Sequence, residues 1–379
     1  MHITILGCGQ LARLMALAGK KMAIDFTFVA IDNESTRCVD KLAKIVHWSK
    51  HVSTTSLLQA IGETDVVTVE REDIDIRLLL DLSMRVNVFP RPESVAICQN
   101  RIKEKIALSQ LNIASTPWFA VTDTTGLFEA AKYLNYPFII KSAEHGYDGK
   151  NQARIKDENA LNEYIDNFIE PNEKIKAIAE PIVEFDTEVS LIGVRALSGE
   201  VKFYPLTENH HVGGILRRSM APADFIPEDW LQNVKRNMTS LLEKWQYVGV
   251  LTMELFVTKD GIMVNELAPR IHNSGHWTDE GSVTSQFENH IRAISGLSLG
   301  STMSKGYSAM VNILGTESES AAINLPETSV HLYNKMDKPG RKLGHINLSD
   351  PQRNSLLNKV KLVEQTIYSG NGKTFQLFS

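Results

Sequence analysis

Apolar residues fall along the chain in two rhythms. Short continuous runs, HITIL, FTFVAID, KIVHW and DVVTVE, have the length and β-branched content of buried strands. Between them lie stretches with helical spacing. After GCGQLA, the residues Leu11, Leu14, Met15, Ala18 and Met22 recur at three- and four-residue steps. STTSLLQAIG, opened by a Ser or Thr cap, and IRLLLDL continue the alternation. Strands alternating with helices imply βαβ units and a parallel sheet, expected here over 1–92.

Residues 93–112, SVAICQNRIKEKIALSQL, read as one long linking helix. PWFAV, EAAKYL and PFIIKSA then give strand, helix and strand; QARI is a further strand and ALNEYIDNFI a helix. With the extended stretch up to Tyr204, these form an expected smaller α/β subdomain over 113–204. In the next unit, 205–303, TENHHVGGILRRS reads as polar and irregular, and a helix covers about 228–246. LTMELFVT and GIMVNELA are strands joined at KDG, a hairpin signal. PRIHNSGHWTDEGS reads as a long loop, and SQFENHIRAISGL as an amphipathic helix. Residues 304–379 hold the strand SAMVNIL, the turn KPGRKLGH and a short terminal helix, a small β-rich closing unit. The fold class is therefore α/β, or α+β overall.

Composition narrows the class. A chain of 379 residues, 43% hydrophobic, suggests two or three domains. A net charge of −5 argues against a nucleic-acid binder but leaves room for local phosphate pockets. Cys8, Cys38 and Cys98 form no CxxC pair, which fits a reducing, cytoplasmic setting. The opening MHITILGCG lacks the flanks of a signal peptide, and no window of about 18 apolar residues suggests a membrane span.

Several clusters carry candidate chemistry. GCGQLA fits G-x-G-x-x-A at a strand–helix turn, where backbone N–H groups can hold a phosphate, and Asp32 stands where a dinucleotide fold puts its ribose acid. That favours a nicotinamide dehydrogenase only weakly, since the same glycines serve a tight turn. Glu254 and Glu266 each interrupt an apolar strand. If the loop is Lys259–Asp260–Gly261, the two carboxylates face each other about 5 Å apart, which suits Mg²⁺. A solvated face is the alternative. Lys141 could reach a phosphate or simply end its strand. The stretch AEHGYDGKNQ follows it, too polar for a core and suited to a mobile lid. Glu180, Glu184, Asp186 and Glu188 make either an acidic strand or a hinge that meets a purine. Arg270, His272, Asn273, Ser274 and His276 form a polar loop suited to a small planar anion. Lys338, Arg341 and Lys342 mark a surface hairpin or a phosphate pocket.

Taken in order, ILGCGQLARL, IKSAEHGYDGKNQARI, FYPLTENHH, QYVGVLTMELFV, VNELAPRIHNSGHWT, SQFENHIRAI and PGRKLGHINL resemble the N5-carboxyaminoimidazole ribonucleotide synthetase family of the ATP-grasp superfamily. The resemblance spans nearly the whole chain, and NELAPRIHNSGHWT is its most specific part. It implies an ATP-grasp fold with an N-terminal Rossmann-like domain and a C-terminal β-rich domain. The implied reaction joins bicarbonate to 5-aminoimidazole ribonucleotide, with ATP cleaved to ADP and phosphate through carboxyphosphate and Mg²⁺ as cofactor. A cytoplasmic homodimer with no nucleic-acid or membrane partner is implied as well.

The resemblance also assigns residues. Glu254 and Glu266 would hold the metal. ATP would meet Arg101, Lys141, Gly146, Tyr147, Asp148, Gly149, Lys150, Asn151, Gln152, Glu180, Pro181, Ile182, Val183, Glu188, His211, Asn265 and Glu266. Arg270, His272, Asn273 and Ser274 would hold bicarbonate and its phosphorylated form. Gln10, Leu11, Glu70, Tyr147, Asp148, Lys150, Lys335, Arg341 and Lys342 would hold the ribonucleotide. The family's lid commonly reads GGYDGRGQ, whereas this chain has HGYDGKNQ, so Lys150 brings charge without arginine's planar fork. The rivals are another ATP-grasp ligase, such as a formate-dependent glycinamide ribonucleotide transformylase, the dehydrogenase, and a non-catalytic nucleotide-binding module.

Overall fold

Buried strands that share helices on both faces build the first layer. The computed structural model describes residues 1–144, 152–170, 174–315, 322 and 325–368. Strands β1 (His2–Leu6), β2 (Asp25–Ile31), β3 (Lys44–Trp48), β4 (Val66–Val69) and β5 (Asn87–Val88) form a parallel sheet in the order β3-β2-β1-β4-β5. Helices α1 (Gln10–Lys20), α2 (Thr54–Ile61) and α3 (Ile76–Ser83) connect them. The α2 start is set by Ser53, whose hydroxyl accepts the Ser56 N–H at 3.1 Å.

The expected linking helix is two helices, α4 (Pro92–Cys98) and α5 (Arg101–Gln110). Asn100 divides them. Its side-chain oxygen accepts the N–H groups of Ile102 and Lys103, both at 3.1 Å, so it caps a new helix rather than continuing the old one.

A small antiparallel sheet follows, built from β6 (Phe119–Val121), β7 (Phe138–Ser142), β8 (Gln152–Ile155) and β9 (Ala177–Pro181) in the order β6-β9-β7-β8. Helices α6 (Thr124–Leu134) and α7 (Glu158–Phe168) cover it, and Leu127, Phe138, Ile140 and Leu161 lie in its separate core. The third sheet has nine strands: β10 (Thr187–Arg195), β11 (Val201–Phe203), β12 (Thr207–Val212), β13 (Ile215–Ala221), β14 (Gly249–Thr258), β15 (Gly261–Ala268), β16 (Tyr307–Leu314), β17 (Ser329–Leu332) and β18 (Lys342–Asp350). Helices α8 (Glu228–Lys244), α9 (Thr278–Gly281), α10 (Gln286–Ile294) and α11 (Arg353–Tyr368) pack around it. No described helix is long and apolar enough to cross a membrane.

Three expectations change here. β10 and β11, grouped by sequence with the small unit, pair into the large sheet. The C-terminal strands do not form a sheet of their own, because β16 pairs with β13 and prolongs the same sheet. TENHHVGGILRRS is an ordered hairpin, β12–β13, turning through Gly213 and Gly214 at φ +59 and +78. Its polarity has a use, since Thr207, Asn209 and Ser219 are buried beneath the site.

Candidate active site

The β14–β15 hairpin sets the centre. Thr258 pairs with Gly261, so the turn is two residues, Lys259 and Asp260, one shorter than expected. A register shift between Glu254 and Leu255 leaves Asn265 without a partner opposite it and restores the pairing Glu254↔Glu266. The carboxylates therefore face one another. Glu254 is the more enclosed, with its side chain 17% exposed against 46% for Glu266. Glu266 is pushed up to about 7, by loss of hydration and then by the charge of Glu254. Glu254 is held at about 2. Burial alone would raise it, but His272 and then His211 and Arg270 outweigh that. Two carboxylates with opposed proton affinities and oxygen donors suit a divalent cation.

The sheet β7–β9 meets this hairpin through a buried ionic cluster. Lys141 Nζ donates to Glu180 at 2.5 Å, and Lys105 Nζ lies 2.9 Å from the other carboxylate oxygen. The Thr116 hydroxyl donates to the same oxygen at 2.5 Å. Glu180 is driven down to about 2, since Lys105 and Lys141 overcome the cost of burial. Its side chain is thus occupied, and only the backbone from Glu180 to Val183 remains for a purine. β9 ends at Pro181, so Ile182 and Val183 lie beyond the ladder. Arg101 Nη2 is 3.9 Å from Glu266. The Asn265 carbonyl accepts from Lys105 at 3.3 Å. The Glu188 carboxylate touches Nδ1 of His211, whose proton affinity rises despite burial. Gln152 stands opposite Lys141 on β8. Gly146, Tyr147, Asp148, Gly149, Lys150 and Asn151 lie outside the described residues.

The segment after β15 is buried rather than a surface loop: Ile271, Ser274, His276, Trp277 and Thr278 are fully buried. Most of its polar groups pair inside the fold, His276 Nε2 being an exception, which is why its sequence shows no apolar pattern. Arg270 is clasped by Glu72 through Nε and Nη2, the latter at 3.1 Å, and half-buried Glu72 is held near 2, the pull of Arg270 outweighing lost hydration. His272 Nδ1 accepts the Ser274 N–H at 3.3 Å, which leaves Nε2–H to donate to Glu254 at 2.9 Å. Ser274 Oγ lies 2.9 Å from His272 Nδ1 and 2.7 Å from Ser190 Oγ. The Asn273 amide turns away and pairs reciprocally with Asn312, at 3.1 and 2.8 Å. It is not aimed at the two carboxylates with His272.

At the glycine turn the result differs from a phosphate site. Glu70 accepts the N–H groups of Gly9 at 2.6 Å and Ala12 at 2.9 Å, so a carboxylate fills the start of α1. A Cβ on Gly7 or Gly9 would come within 2.3 or 2.6 Å of Glu70. The glycines admit Glu70, and a dinucleotide pyrophosphate would meet its charge. Lys335 donates to Gln10 and lies near Glu70, so Gln10, Glu70 and Lys335 gather as expected. Leu11 instead packs in the core. Arg341 donates to the Met336 carbonyl at 3.4 Å, and Lys342 opens β18.

Sequence reasoning missed Lys105, Glu72 and Glu104. Glu104 is buried, accepts the Leu267 N–H at 3.0 Å and is raised to about 8 by burial. For Glu104 and Lys105 the local signal was a charge inside a helix with apolar neighbours, whereas Glu72 lies in the connection between β4 and α3. Among the described residues, Asp279, Glu280 and His331 also come close enough for a metal. There His331 sits 2.8 Å from Glu280 and Asn347 donates to it, an ordinary ion-pair setting.

Family models match in three blocks. The ATP-grasp domain covers residues 106–287, a ribonucleotide synthetase preATP-grasp domain covers 1–99, and a phosphoribosylaminoimidazole carboxylase C-terminal domain covers 308–359. Among curated relatives, the N5-carboxyaminoimidazole ribonucleotide synthases of Vibrio cholerae and Pseudomonas aeruginosa are 38% and 37% identical. They match over 95% and 97% of this chain and 94% and 99% of their own. The structure is similar to the synthetase of Thermus thermophilus, with a TM-score of 0.89 at 35% identity over 97% of this chain and 98% of that one. It is also similar to the Aspergillus clavatus synthase solved with ADP and 5-aminoimidazole ribonucleotide, with a TM-score of 0.86 at 26% identity over 97% and 98%.

Proposed function

We propose a reaction course for this site from one premise: the chain belongs to the N5-carboxyaminoimidazole ribonucleotide synthase family of ATP-grasp ligases. It carboxylates 5-aminoimidazole ribonucleotide with ATP in purine biosynthesis. Bicarbonate is the carbon source in this proposal. One oxygen of bicarbonate attacks the γ-phosphorus, and the bond to the ADP oxygen breaks. The resulting carboxyphosphate has a leaving group that bicarbonate lacks. The ribonucleotide amine then bonds to its carbon, phosphate leaves, and a proton passes to solvent. Such a transfer depends on positioning and charge neutralisation.

The observation that carries this reading is the line Glu254–His272–Ser274, held at 2.9 Å on each side of the imidazole. It fixes an oriented hydroxyl and imidazole next to the paired carboxylates. Arg270, anchored by Glu72, sets a fixed positive charge beside them for the planar anion. Glu254 and Glu266 would hold Mg²⁺, which would neutralise phosphate charge when bound. The fit rests on the facing of the two carboxylates across β14 and β15, an oxygen-only pair whose repulsion a cation relieves. Lys141 and Arg101 approach the same place from β7 and α5 and suit the phosphates. The backbone at Ile182 and Val183 suits adenine, and Glu188 with His211 the ribose. Lys335, Arg341 and Lys342 suit the 5′-phosphate of the ribonucleotide.

A homodimer and a cytoplasmic location complete the proposal; both rest on the family, and light scattering tests the first. The test of the reaction is isotopic. With labelled bicarbonate, ATP and 5-aminoimidazole ribonucleotide, the label is expected on the ribonucleotide amine, read by mass spectrometry. Label that stays in solution while ATP is consumed contradicts the carboxylation.

A further inference from the structure

A buried row of polar side chains joins the C-terminal strands to the segment that carries His272 and Ser274. Asn312 on β16 stands opposite His345 on β18, which stands opposite His331 on β17. Asn312, His276, His345 and Tyr333 are fully buried. The polarity of the row follows from one backbone group. The Leu216 carbonyl can only accept, and Asn312 Nδ2 donates to it at 2.7 Å. The oxygen of Asn312 must then accept from Asn273 Nδ2 at 3.1 Å. Asn273 Nδ2 also meets His276 Nδ1 at 3.3 Å, so that nitrogen is an acceptor. The Tyr333 hydroxyl, 3.1 Å from His276 Nδ1, must donate to it, and it accepts from His345 Nδ1–H at 2.6 Å. Burial pulls both imidazoles well below their ordinary proton affinity, in keeping with a neutral row.

We propose that Tyr333 is a positioning residue for the reaction, its hydroxyl fixing His276 and Asn273 and thereby the backbone that presents His272 and Ser274. The row touches neither Glu254 nor Glu266, so it acts through the segment alone. His272 and Ser274 are flanked by residues 270 and 276, each tied elsewhere: Arg270 to Glu72, His276 to Tyr333. Gln286 holds the His272 backbone and Ser190 the Ser274 hydroxyl, so loosening the His276 end shifts the imidazole and hydroxyl against Glu254 without releasing them. Misplacement of that kind wastes phosphorylated bicarbonate before the amine reaches it. The C-terminal strands, which also bring Lys335 and Lys342, thus take part in the chemistry as well as in closing the site. The inference rests on the carboxylation proposed above.

The test compares Tyr333→Phe with wild type, each normalised to sites that bind ADP by calorimetry. The expected result is a kcat lower by roughly ten- to a hundredfold, an unchanged KM for ATP, and more phosphate released per ribonucleotide carboxylated. His345→Asn keeps an N–H donor near the place of Nδ1 and is expected to retain most of the coupling, whereas His345→Leu copies Tyr333→Phe. A purely structural role would lower Tm and the fraction of binding sites but leave the phosphate-to-product ratio alone. Wild-type kcat and ratio in Tyr333→Phe, or a loss matched by lost binding sites, overturns the inference. A wild-type enzyme that carboxylates nothing sinks the functional proposal and, with it, the role of Tyr333; that failure is told apart because it shows before any substitution is made.

Discussion

Glu254 faces Glu266 across β14 and β15 because an unpaired Asn265 offsets a turn one residue shorter than expected. Removing Asn265 would close the bulge and leave Glu266 opposite Glu254, so the carboxylate itself is the group to change. Glu266→Gln is expected to lower kcat by about a hundredfold or more. The Gln variant keeps one cooperative unfolding transition, which differential scanning calorimetry checks. Normal turnover in Glu266→Gln removes the carboxylate from the mechanism.

The same pair predicts a pH effect. The Glu266 carboxyl is raised to about 7 in the folded chain, so the folded state binds a proton that the unfolded chain has already lost. Its contribution favours folding in acid and fades as pH rises from the ordinary carboxyl value through about 7. Without metal, Glu266→Gln should therefore gain Tm relative to wild type between about pH 5 and pH 8. A difference that stays flat over that range contradicts the pairing.

Lys105 is buried against Glu180 and Thr116. Lys105→Met leaves Glu180 with Lys141 as its one cation beside the Thr116 hydroxyl and is expected to cost about 3–5 kcal/mol in urea denaturation. A loss under about 1 kcal/mol would mean that the cluster is not held as described.

Gly9 and Glu70 should be coupled. Gly9→Ala forces a Cβ against the carboxylate and is expected to cost about 1–3 kcal/mol. In Glu70→Ala that clash is gone, so the double variant should be more stable than the sum of the single effects implies. Strict additivity would show that Gly9 serves the turn alone.

The parallel sheet was readable from the sequence because its strands are apolar on both faces, so each run stands out. Asn100 hid a helix boundary because a cap residue inside a helical pattern looks like part of it. The segment from Arg270 to Thr278 and the β12–β13 hairpin were read as irregular for the opposite reason. Their buried side chains are polar, and only partners distant in sequence, such as Asn312 and Ser190, make that burial tolerable. The Glu254–Glu266 facing was foreseen although the turn length was not, since the bulge compensated. GCGQLA misled because a carboxylate from β4's end, Glu70, satisfies a helix start as well as a phosphate does.

The central claim is tested most directly by ADP release with Mg²⁺ and ATP while bicarbonate and 5-aminoimidazole ribonucleotide are each left out in turn. The account predicts that full turnover needs both, with one ADP formed per ribonucleotide carboxylated. ADP release at an unchanged rate without either compound would contradict it.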